Sequence, residues 1–392
     1  MQADADNGSP CQSGFGYRGF VQQRVFWFLC LLGLLCQTAL ATELSVTSIS
    51  VGQGDAALIV SPTGKTILVD GGPPEGTERL IQTLKRRQVS SLDLIVLTHP
   101  HLDHLGGLGQ VVQTLPVRAF LDAGYPSTSP PYAALMKLLS ARGIAVKNAT
   151  AGRNIDIGDG ATLTLIGPPS PFLANTRSDV NANSVVVRLS WRGRTALFTG
   201  DSEPETEQFL ISHPPAGADG LRAELLKVAH HGGRYSSTDA FLRAVSPKLA
   251  FISAGPGNDY GHPTAEAMGR IAAVGATIYR TDLQGDLTAV SQDGQPWVVK
   301  VEAAPAVMKA HHGSGPSKLP ETPAPAQSTP QPPVPTTPPA AEEGYVASKN
   351  SQVFHTRRCP SAERILPANR ISFPTRAAAI QSGRQPGGDC KP

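Results

Sequence analysis

The chain has 392 residues, a length that accommodates one large domain and one small one. A net charge of only +3 excludes a chain that is strongly basic or acidic throughout, but the charge is spread unevenly. Residues 344–392 hold eight Lys or Arg against two acidic residues, so the rest of the chain is close to −3. This basic end is either a surface for a polyanion, such as nucleic acid or a cell-wall polymer, or a small soluble module whose surface is basic.

The N-terminus has the pattern of an export signal. Arg18 and Arg24 precede the apolar run 25–35, and Ala39-Leu40-Ala41 offers a small-x-small cleavage site. Because the run is short for a membrane span, we predict a signal peptide at residues 1–41 and a periplasmic or extracellular protein, with an uncleaved anchor as the alternative. Cleavage there leaves two of the five cysteines, Cys359 and Cys390.

Between residues 42 and 302, short apolar runs end repeatedly in polar residues. Helical patterns at 78–87, 131–142, 203–211 and 264–274 lie between these runs. Strands that alternate with helices predict a layered α/β domain with one site at the rim of its sheets. The polar segments that follow the runs are Asp70-Gly71-Gly72, Thr199-Gly200-Asp201, His230-His231-Gly232-Gly233 and Tyr260-Gly261-His262-Pro263.

The most informative segment follows the apolar run 94–97. Residues 98–104 read Thr-His-Pro-His-Leu-Asp-His, which places four potential metal ligands at the end of a buried strand: His99, His101, Asp103 and His104. Imidazole and carboxylate together suit zinc, and also manganese or iron. The alternating pair His99 and His101 can point at one ion, and the adjacent pair Asp103 and His104 at a second.

Residues 303–343 are rich in Pro, Ala, Thr and Ser, and we expect an extended linker in which His311 and His312 are solvated. The linker separates the large domain, 42–302, from a small C-terminal module, 344–392.

The His99-x-His101-x-Asp103-His104 motif, Asp70-Gly71-Gly72 and Thr199-Gly200-Asp201 resemble the metallo-β-lactamase superfamily over about residues 45–295. A narrower resemblance is to the soluble hydrolase domain of the ComEC family of DNA-uptake competence proteins. It is carried by Val51-Gly52-Gln53-Gly54-Asp55-Ala56, the segment 226–232 with its two histidines, and Tyr260-Gly261-His262-Pro263.

The resemblance implies an αββα sandwich with one or two divalent ions, zinc or manganese, at its edge. It implies that His99 and His101 hold the first ion, that Asp103, His104 and His262 hold the second, and that Asp201 bridges both. It also implies that Asp70 ties the metal loops together by hydrogen bonds without binding an ion.

One departure from the family pattern concerns the first ion. The superfamily usually supplies a further histidine between the His-x-His-x-Asp-His motif and the bridging aspartate. No histidine occurs in that interval here, from Leu105 to Gly200. Asp179, Asn181 and Asn183 are the nearest candidates, and an amide is a poor zinc ligand. The first ion is then weakly bound or a harder metal such as manganese, or else His230 or His231 supplies the missing ligand.

We expect a metal-activated water as the nucleophile, with Asp103 in the catalytic group. His230 or His231 is either a proton donor to the leaving oxygen, or one is a ligand and the other supports it. Lys227, Arg234, Ser236 and Ser237, with Asn183, are candidate contacts to a phosphodiester backbone. For Lys227, which lies inside an apolar pattern, a structural ion pair is the alternative.

The C-terminal module resembles the small metal-binding domain of Ada-type DNA-repair proteins, through segment 345–355, Cys359 and Cys390. Gly387 stands where that family has a cysteine, so His355, Cys359 and Cys390 supply only three ligands. The alternatives are a zinc site and a Cys359–Cys390 disulfide, which would stabilise a short exported module equally well. We expect the module to tether the protein or to contact nucleic acid.

The function that we favour is an exported metal-dependent phosphodiesterase, a nuclease with DNA as substrate. One alternative is an amide or ester hydrolase acting on a β-lactam or lactone, because the same site activates water for acyl transfer. The other is a non-catalytic DNA-binding scaffold.

Overall fold

The computed structural model describes residues 42–217, 219–303 and most of 344–386 (344–349, 353–357, 359–363, 365, 369–382 and 384–386). The predicted signal peptide, the predicted linker with His311 and His312, and Cys390 lie outside these residues. Within the described ranges, no helix is both long and apolar enough to cross a bilayer.

Two large sheets form the body of the protein. The first has eight strands in the order β15-β14-β1-β2-β3-β4-β5-β6. Its strands are β1 (Glu43–Ser48), β2 (Ala57–Val60), β3 (Thr66–Val69), β4 (Leu94–Val96), β5 (Ala119–Asp122), β6 (Ala145–Asn148), β14 (Asp286–Gln292) and β15 (Val298–Glu302).

The second sheet has seven strands in the order β13-β12-β11-β10-β9-β8-β7. Its strands are β7 (Asn154–Gly158), β8 (Ala161–Leu165), β9 (Val187–Trp191), β10 (Arg194–Phe198), β11 (Leu225–Lys227), β12 (Leu249–Ile252) and β13 (Thr277–Arg280).

Helices cover the outer face of each sheet. Several begin where a side chain can satisfy a free backbone N–H group; for example, the Thr238 and Thr264 hydroxyls accept hydrogen bonds in the first turns of α7 and α8. The helices are α1 (Thr77–Arg86), α2 (Leu102–Leu105), α3 (Leu108–Thr114), α4 (Pro130–Ala141), α5 (Asp179–Ala182), α6 (Pro204–Ser212), α7 (Asp239–Val245), α8 (Ala265–Ala273) and α9 (Thr281–Gln284), with 3-10 turns at Pro74–Gly76 and Ala229–Gly232.

Alternation of side chains along the strands builds three apolar layers. In β3, Ile67 and Val69 join the core between the two sheets, while Leu68 packs under the helices on the outer face. In β12, Phe251 joins the central core, and Ala250 and Ile252 face α7 and α8. Such double burial explains why these strands read as continuous apolar runs. The result is an αββα sandwich, which confirms the predicted fold class.

The parallel strands determine where the polar segments meet. Strands β3, β4, β5 and β6 pair in parallel, as do β10, β11, β12 and β13. Because parallel strands end at the same sheet edge, the loops after β3, β4, β10 and β11 converge at one edge of the sandwich.

The C-terminal residues form a separate four-stranded sheet in the order β18-β16-β17-β19, with a small core that includes Ala347, Phe354 and Phe373. Its elements are β16 (Tyr345–Ser348), β17 (Val353–Thr356), α10 (Pro360–Glu363), β18 (Arg370–Phe373), α11 (Arg376–Gln381) and β19 (Gln385–Pro386).

Candidate metal centre

Asp70, directly after β3, is the hydrogen-bonding centre of the loop that follows β4. Its Oδ1 accepts from the Thr98 backbone N–H at 2.7 Å, and its Oδ2 accepts from the Thr98 hydroxyl at 2.8 Å. Nδ1 of His104 lies 2.8 Å from the same Oδ2. All three side chains are buried. Asp70 therefore fixes the direction of the loop and uses its oxygens on protein donors, which is the role that the resemblance implies for it.

Gly54 lets the loop between β1 and β2 approach the metal loop closely. The Asp55 N–H donates to the Asp103 carbonyl oxygen at 3.1 Å. A Cβ atom on Gly54, which has φ of +152°, would lie 2.2 Å from that carbonyl oxygen and 2.8 Å from Cδ of Pro73. Only glycine fits there without displacing backbone, so the contact depends on this residue.

His99 and His101 turn their ring nitrogens toward each other. Nε2 of His99 lies 3.0 Å from Nδ1 of His101, and the two rings are nearly perpendicular at 82°. Two ligands bound to one zinc ion at about 2.0–2.1 Å have a separation of this order. The same distance is that of a hydrogen bond between the two rings, and it brings the two nitrogens close enough to share one ion.

The two carboxylate oxygens of Asp201, after β10, face different histidines. Oδ2 lies 3.8 Å from Nε2 of His99 and 3.7 Å from Nε2 of His230. Oδ1 lies 3.2 Å from Nε2 of His104 and 3.6 Å from Nε2 of His231. A carboxylate placed between two such pairs is suited to bridge two ions.

The rings of His104, His231 and His230, whose Nε2 atoms lie 3.2, 3.6 and 3.7 Å from an Asp201 oxygen, are each contacted at Nδ1. Nδ1 of His104 contacts Asp70, that of His231 lies 3.0 Å from the Ser253 carbonyl oxygen, and that of His230 lies 3.2 Å from Oε1 of Glu203. When Nδ1–H donates to such an acceptor, Nε2 carries the lone pair that a metal ion requires.

Asp103 adds a second carboxylate beside His104 and His231. Its Oδ2 lies 3.3 Å from Nε2 of His231 and 3.8 Å from Nε2 of His104. Ligand atoms of Asp103, His104, Asp201 and His231 all lie within 4.8 Å of one another. Nε2 of His104 and Oδ1 of Asp201 are both buried, and neither has a hydrogen-bond partner of acceptable geometry. This donor set of imidazole and carboxylate fits a divalent cation.

Two acidic residues of the site, Asp55 and Glu203, were not predicted as site residues. Asp55 contacts Nζ of Lys227 at 2.7 Å and Nδ1 of His231 at 3.1 Å. Glu203, which directly precedes α6, contacts Arg177 as well as His230. The Gly-Asp dipeptide at 54–55 occurs again at 200–201, and that repetition was the available signal for Asp55.

The electrostatics of the cluster favour positive charge between its carboxylates. Burial acts to lower the pKa of His104, but Asp201 and Asp70 raise it well above its usual value. Burial likewise acts to lower the pKa of His231, yet Asp201 and Asp55 raise it to about 10. Burial acts to raise the pKa of Asp201, but the neighbouring His104 and His230 hold it well below its usual value. A divalent cation supplies the charge that these groups attract.

The structure places His262 beside this group but outside the four-residue cluster. Its ring centroid lies 6.3 Å from that of His231 and 5.6 Å from that of His230. Burial and these two histidines lower the pKa of His262 to about 3, and its Nδ1 is buried without a partner. His262 as a ligand stays a prediction.

Two of the predicted substrate contacts are buried and already engaged. The Lys227 ammonium pairs with Asp55 and donates to the Val228 carbonyl oxygen, the arrangement expected of a structural ion pair. The Asn183 amide donates to Leu173 O and Asp179 O and accepts from Leu173 N, so it holds the loop before α5.

The segment after the paired histidines divides into exposed and buried residues. Arg234 is exposed and pairs with Glu266 at 2.8 Å. Ser236 and Ser237 are buried, and Arg270 donates to the carbonyl oxygens of both. Only Arg234 of these three is accessible to a polymer from solution.

In the C-terminal module, Cys359 is buried and disulfide-bonded, and its Sγ lies 3.8 Å from Nδ1 of His355. A sulfur in a disulfide is not a thiolate ligand, so the structure favours the disulfide over zinc for this residue. Cys390, the predicted partner, lies outside the described residues.

Comparison with known proteins gives a family match. The family model described as the metallo-beta-lactamase superfamily matches residues 49–255. ComE operon protein 3 of Bacillus subtilis is 26 % identical over 294 residues, which cover 68 % of this chain and 37 % of that protein. Competence protein ComA of Neisseria gonorrhoeae is 30 % identical over 246 residues, 62 % of this chain and 32 % of that protein. Ribonuclease Z of Bradyrhizobium diazoefficiens is 42 % identical over 86 residues, 22 % of this chain and 27 % of that protein.

These relatives confirm the resemblance to competence proteins, and the chain spans about a third of the length of the two that it matches. The Ada-type resemblance of the C-terminal module stays a prediction.

Proposed function

Because the chain belongs to the metallo-β-lactamase superfamily, we propose that it is a divalent-metal-dependent hydrolase that cleaves phosphodiester bonds of nucleic acid, DNA above all. The observation that carries the proposal is Asp201, whose two oxygens each face a pair of imidazole nitrogens. A site with two ion positions stabilises both the attacking and the leaving oxygen of an in-line displacement at phosphorus. The names of the relatives, two competence-related proteins and a ribonuclease, agree with this substrate class.

Divalent ions held by Asp103, His104, Asp201 and the neighbouring histidines would lower the pKa of a water and offset the charge that develops on a phosphoryl oxygen. The protein's own contribution is to hold and orient. Asp103 has a side chain that is 37 % exposed, against 3 % for Asp201, so Asp103 is the carboxylate of the cluster that faces the substrate side. We assign it to orient the attacking water and accept its proton.

Two exposed tyrosines flank the cluster and suit a single strand. Tyr260 is 69 % exposed and its ring stacks on His262 with centroids 5.8 Å apart. Tyr235 is 49 % exposed, and the Arg177 guanidinium lies 3.8 Å from its ring centre. Unpaired bases stack on exposed aromatic rings, whereas the bases of a duplex are already stacked on one another. We therefore propose that single-stranded nucleic acid is the better substrate.

The test uses the purified full chain, stripped of metal and reloaded with Mn²⁺ or Zn²⁺. Its substrates are single- and double-stranded DNA of one sequence, RNA, bis-p-nitrophenyl phosphate and a chromogenic β-lactam. We expect cleavage of the phosphodiesters and a loss of about 1000-fold or more in Asp103→Ala and His101→Ala, because a ligand of the metal centre supplies several kcal/mol of transition-state stabilisation. His213→Ala, a change at an exposed histidine outside the cluster, is the matched control and keeps wild-type activity.

Turnover of the β-lactam without phosphodiester cleavage would overturn the proposal in favour of an amide hydrolase. An inert protein that still binds DNA would favour the scaffold. For the tyrosines, Tyr260→Leu should reduce binding of single-stranded DNA by about 1–3 kcal/mol and leave hydrolysis of bis-p-nitrophenyl phosphate unchanged. Export through residues 1–41 is part of the proposal, and N-terminal sequencing of the secreted protein checks it.

A further inference from the structure

We propose that His230 is the third histidine of the first metal position, together with His99, His101 and Asp201, and that two buried carboxylates, each paired with a cation, position His230 and His231 as ligands of different ions. The inference rests on the metal dependence proposed above. It replaces the histidine that the chain lacks between Leu105 and Gly200 with one that follows the bridging aspartate.

The backbone of the paired histidines separates their side chains. His230 has φ 50° and ψ 43°, and His231 has φ 54° and ψ 24°, so two consecutive non-glycine residues adopt the left-handed conformation. That conformation costs on the order of 1 kcal/mol or more for each residue and is found where the surroundings enforce it. Its result here is that the two rings lie 6.2 Å apart at 80°.

Each ring is directed at a different oxygen of Asp201. Nε2 of His230 and Nε2 of His99 lie 3.7 and 3.8 Å from Oδ2. Nε2 of His231 and Nε2 of His104 lie 3.6 and 3.2 Å from Oδ1. His101 adjoins His99 on the Oδ2 side, and Asp103 joins the Oδ1 side.

Each ring has a buried carboxylate beside its Nδ1 and a cation behind that carboxylate, which is buried in Lys227 and exposed in Arg177. Glu203 contacts Nδ1 of His230, and Arg177 contacts Glu203. Asp55 contacts Nδ1 of His231, and Lys227 contacts Asp55. A carboxylate behind a histidine fixes the tautomer and makes the opposite nitrogen a better ligand. The cation behind each carboxylate balances its charge, and in His231 the Ser253 carbonyl oxygen, 3.0 Å from Nδ1, is a second group that can accept the ring N–H.

This assignment gives both histidines a task other than proton donation. Nδ1 of His230 contacts Glu203, and Nδ1 of His231 contacts Asp55 and the Ser253 carbonyl oxygen. Nε2 of both rings points at Asp201, so neither nitrogen is left to protonate a leaving oxygen. Glu203, Arg177, Asp55 and Lys227 are positioning residues, since they act through the histidines.

The test counts metal ions, independently of any substrate. The metal-free full chain is titrated with Zn²⁺ and desalted. The zinc that stays bound is then measured by elemental mass spectrometry. We expect two ions per chain in the wild type and one in His230→Ala. The double variant His230→Ala/His99→Ala should also bind one ion, because both substitutions affect the same position. We expect none when His104→Ala is added to His230→Ala. Glu203→Gln should keep two ions at saturation but weaken one of them by about 10–100-fold. His213→Ala is the control and keeps two, and thermal unfolding of each metal-free variant verifies its fold.

The inference is overturned if His230→Ala binds two ions with wild-type affinity, or if the wild type binds fewer than two. A His230→Ala protein with two ions but no catalysis would identify His230 as a proton donor. The proposed function fails separately: a wild type with two ions and no phosphodiesterase activity contradicts the substrate and leaves the ligand assignment standing.

Discussion

Two buried carboxylates, Asp286 and Asp55, make similar ion pairs in different regions and serve different ends. Asp286, at the start of β14, lies 3.0 Å from Arg79 and 3.0 Å from Arg86 of α1, and its other oxygen accepts from the Ser50 N–H at 2.9 Å. The second oxygen of Asp55 instead lies against His231. The Asp286 network ends at a backbone N–H group and joins a helix to a sheet. The Asp55 network instead continues through the imidazole of His231 to Asp201. The group on the second oxygen therefore decides whether a buried ion pair is structural or supports a site.

The largest effect that we expect is on stability, from Asp286→Ala. Removal of this carboxylate leaves the Arg79 side chain buried without its partner, at a cost of about 3–5 kcal/mol in the free energy of unfolding. Zinc affinity should not change, because the Asp286 network does not reach the metal centre. Denaturant unfolding of the metal-free protein and a zinc titration measure the two quantities. The exposed pair Arg87–Glu302 supplies the control, and Glu302→Gln should cost less than about 1 kcal/mol.

If the folded Asp286→Ala protein, assayed without denaturant, bound zinc more weakly than the wild type, the contrast between the two networks would be wrong.

The metal loop was predictable from the sequence because its ligands are local. Four ligands within six residues, after an apolar run, predict both the strand and the site, and the structure has β4 and the His99–His104 cluster there. The helical patterns 131–142 and 264–274 correspond to α4 and α8 to within one residue at each end. Periodicity and strand ends carry such information without tertiary contacts.

The other half of the site depends on contacts between distant segments. Asp55 matters because it contacts Lys227 of β11 in the other sheet and His231 in the turn after that strand, and no local pattern indicates these contacts. The choice between His230 and His231 rests on their backbone angles, which residue types alone do not predict. Asn183 is polar and near the expected position, but its amide is consumed by its own loop.

A third buried carboxylate, Glu207 of α6, differs from Asp286 and Asp55 because backbone N–H groups, not a cation, are its hydrogen-bond partners. It accepts from the Thr238 N–H at 2.9 Å and from the Ser237 N–H. Burial raises its pKa from 4.5 to about 7, although these hydrogen bonds oppose the rise. The folded state then binds more protons than the unfolded state between these values, so stability falls as pH rises from about 4.5 to 7. The decrease is about 3 kcal/mol.

Glu207→Gln removes this titration. We expect the stability of the wild type relative to Glu207→Gln to decrease between pH 5 and pH 7.5, as measured by denaturant unfolding of both metal-free proteins at each pH. A difference between the two proteins that does not vary with pH would show that Glu207 is ionised in the folded state throughout this range.

The smallest effect, and the sharpest test of the comparison, is on zinc affinity in the double variant Asp55→Asn/Lys227→Met. Asp55→Asn by itself leaves the Lys227 ammonium buried without a carboxylate, so a loss of affinity there is confounded by a loss of stability. The double variant removes both charges, and replacement of a whole buried pair by groups of similar size is often close to neutral for stability. His231 keeps the Ser253 carbonyl oxygen at its Nδ1 but loses the carboxylate beside it, so we expect zinc to bind about 10–100-fold more weakly. If the double variant is stable and binds zinc as the wild type does, Asp55 is a structural residue of the same kind as Asp286. If a stable double variant binds zinc more weakly, Asp55 supports the metal centre and Asp286 does not. The loss cannot then come from a broken ion pair, because the double variant lacks both of its partners.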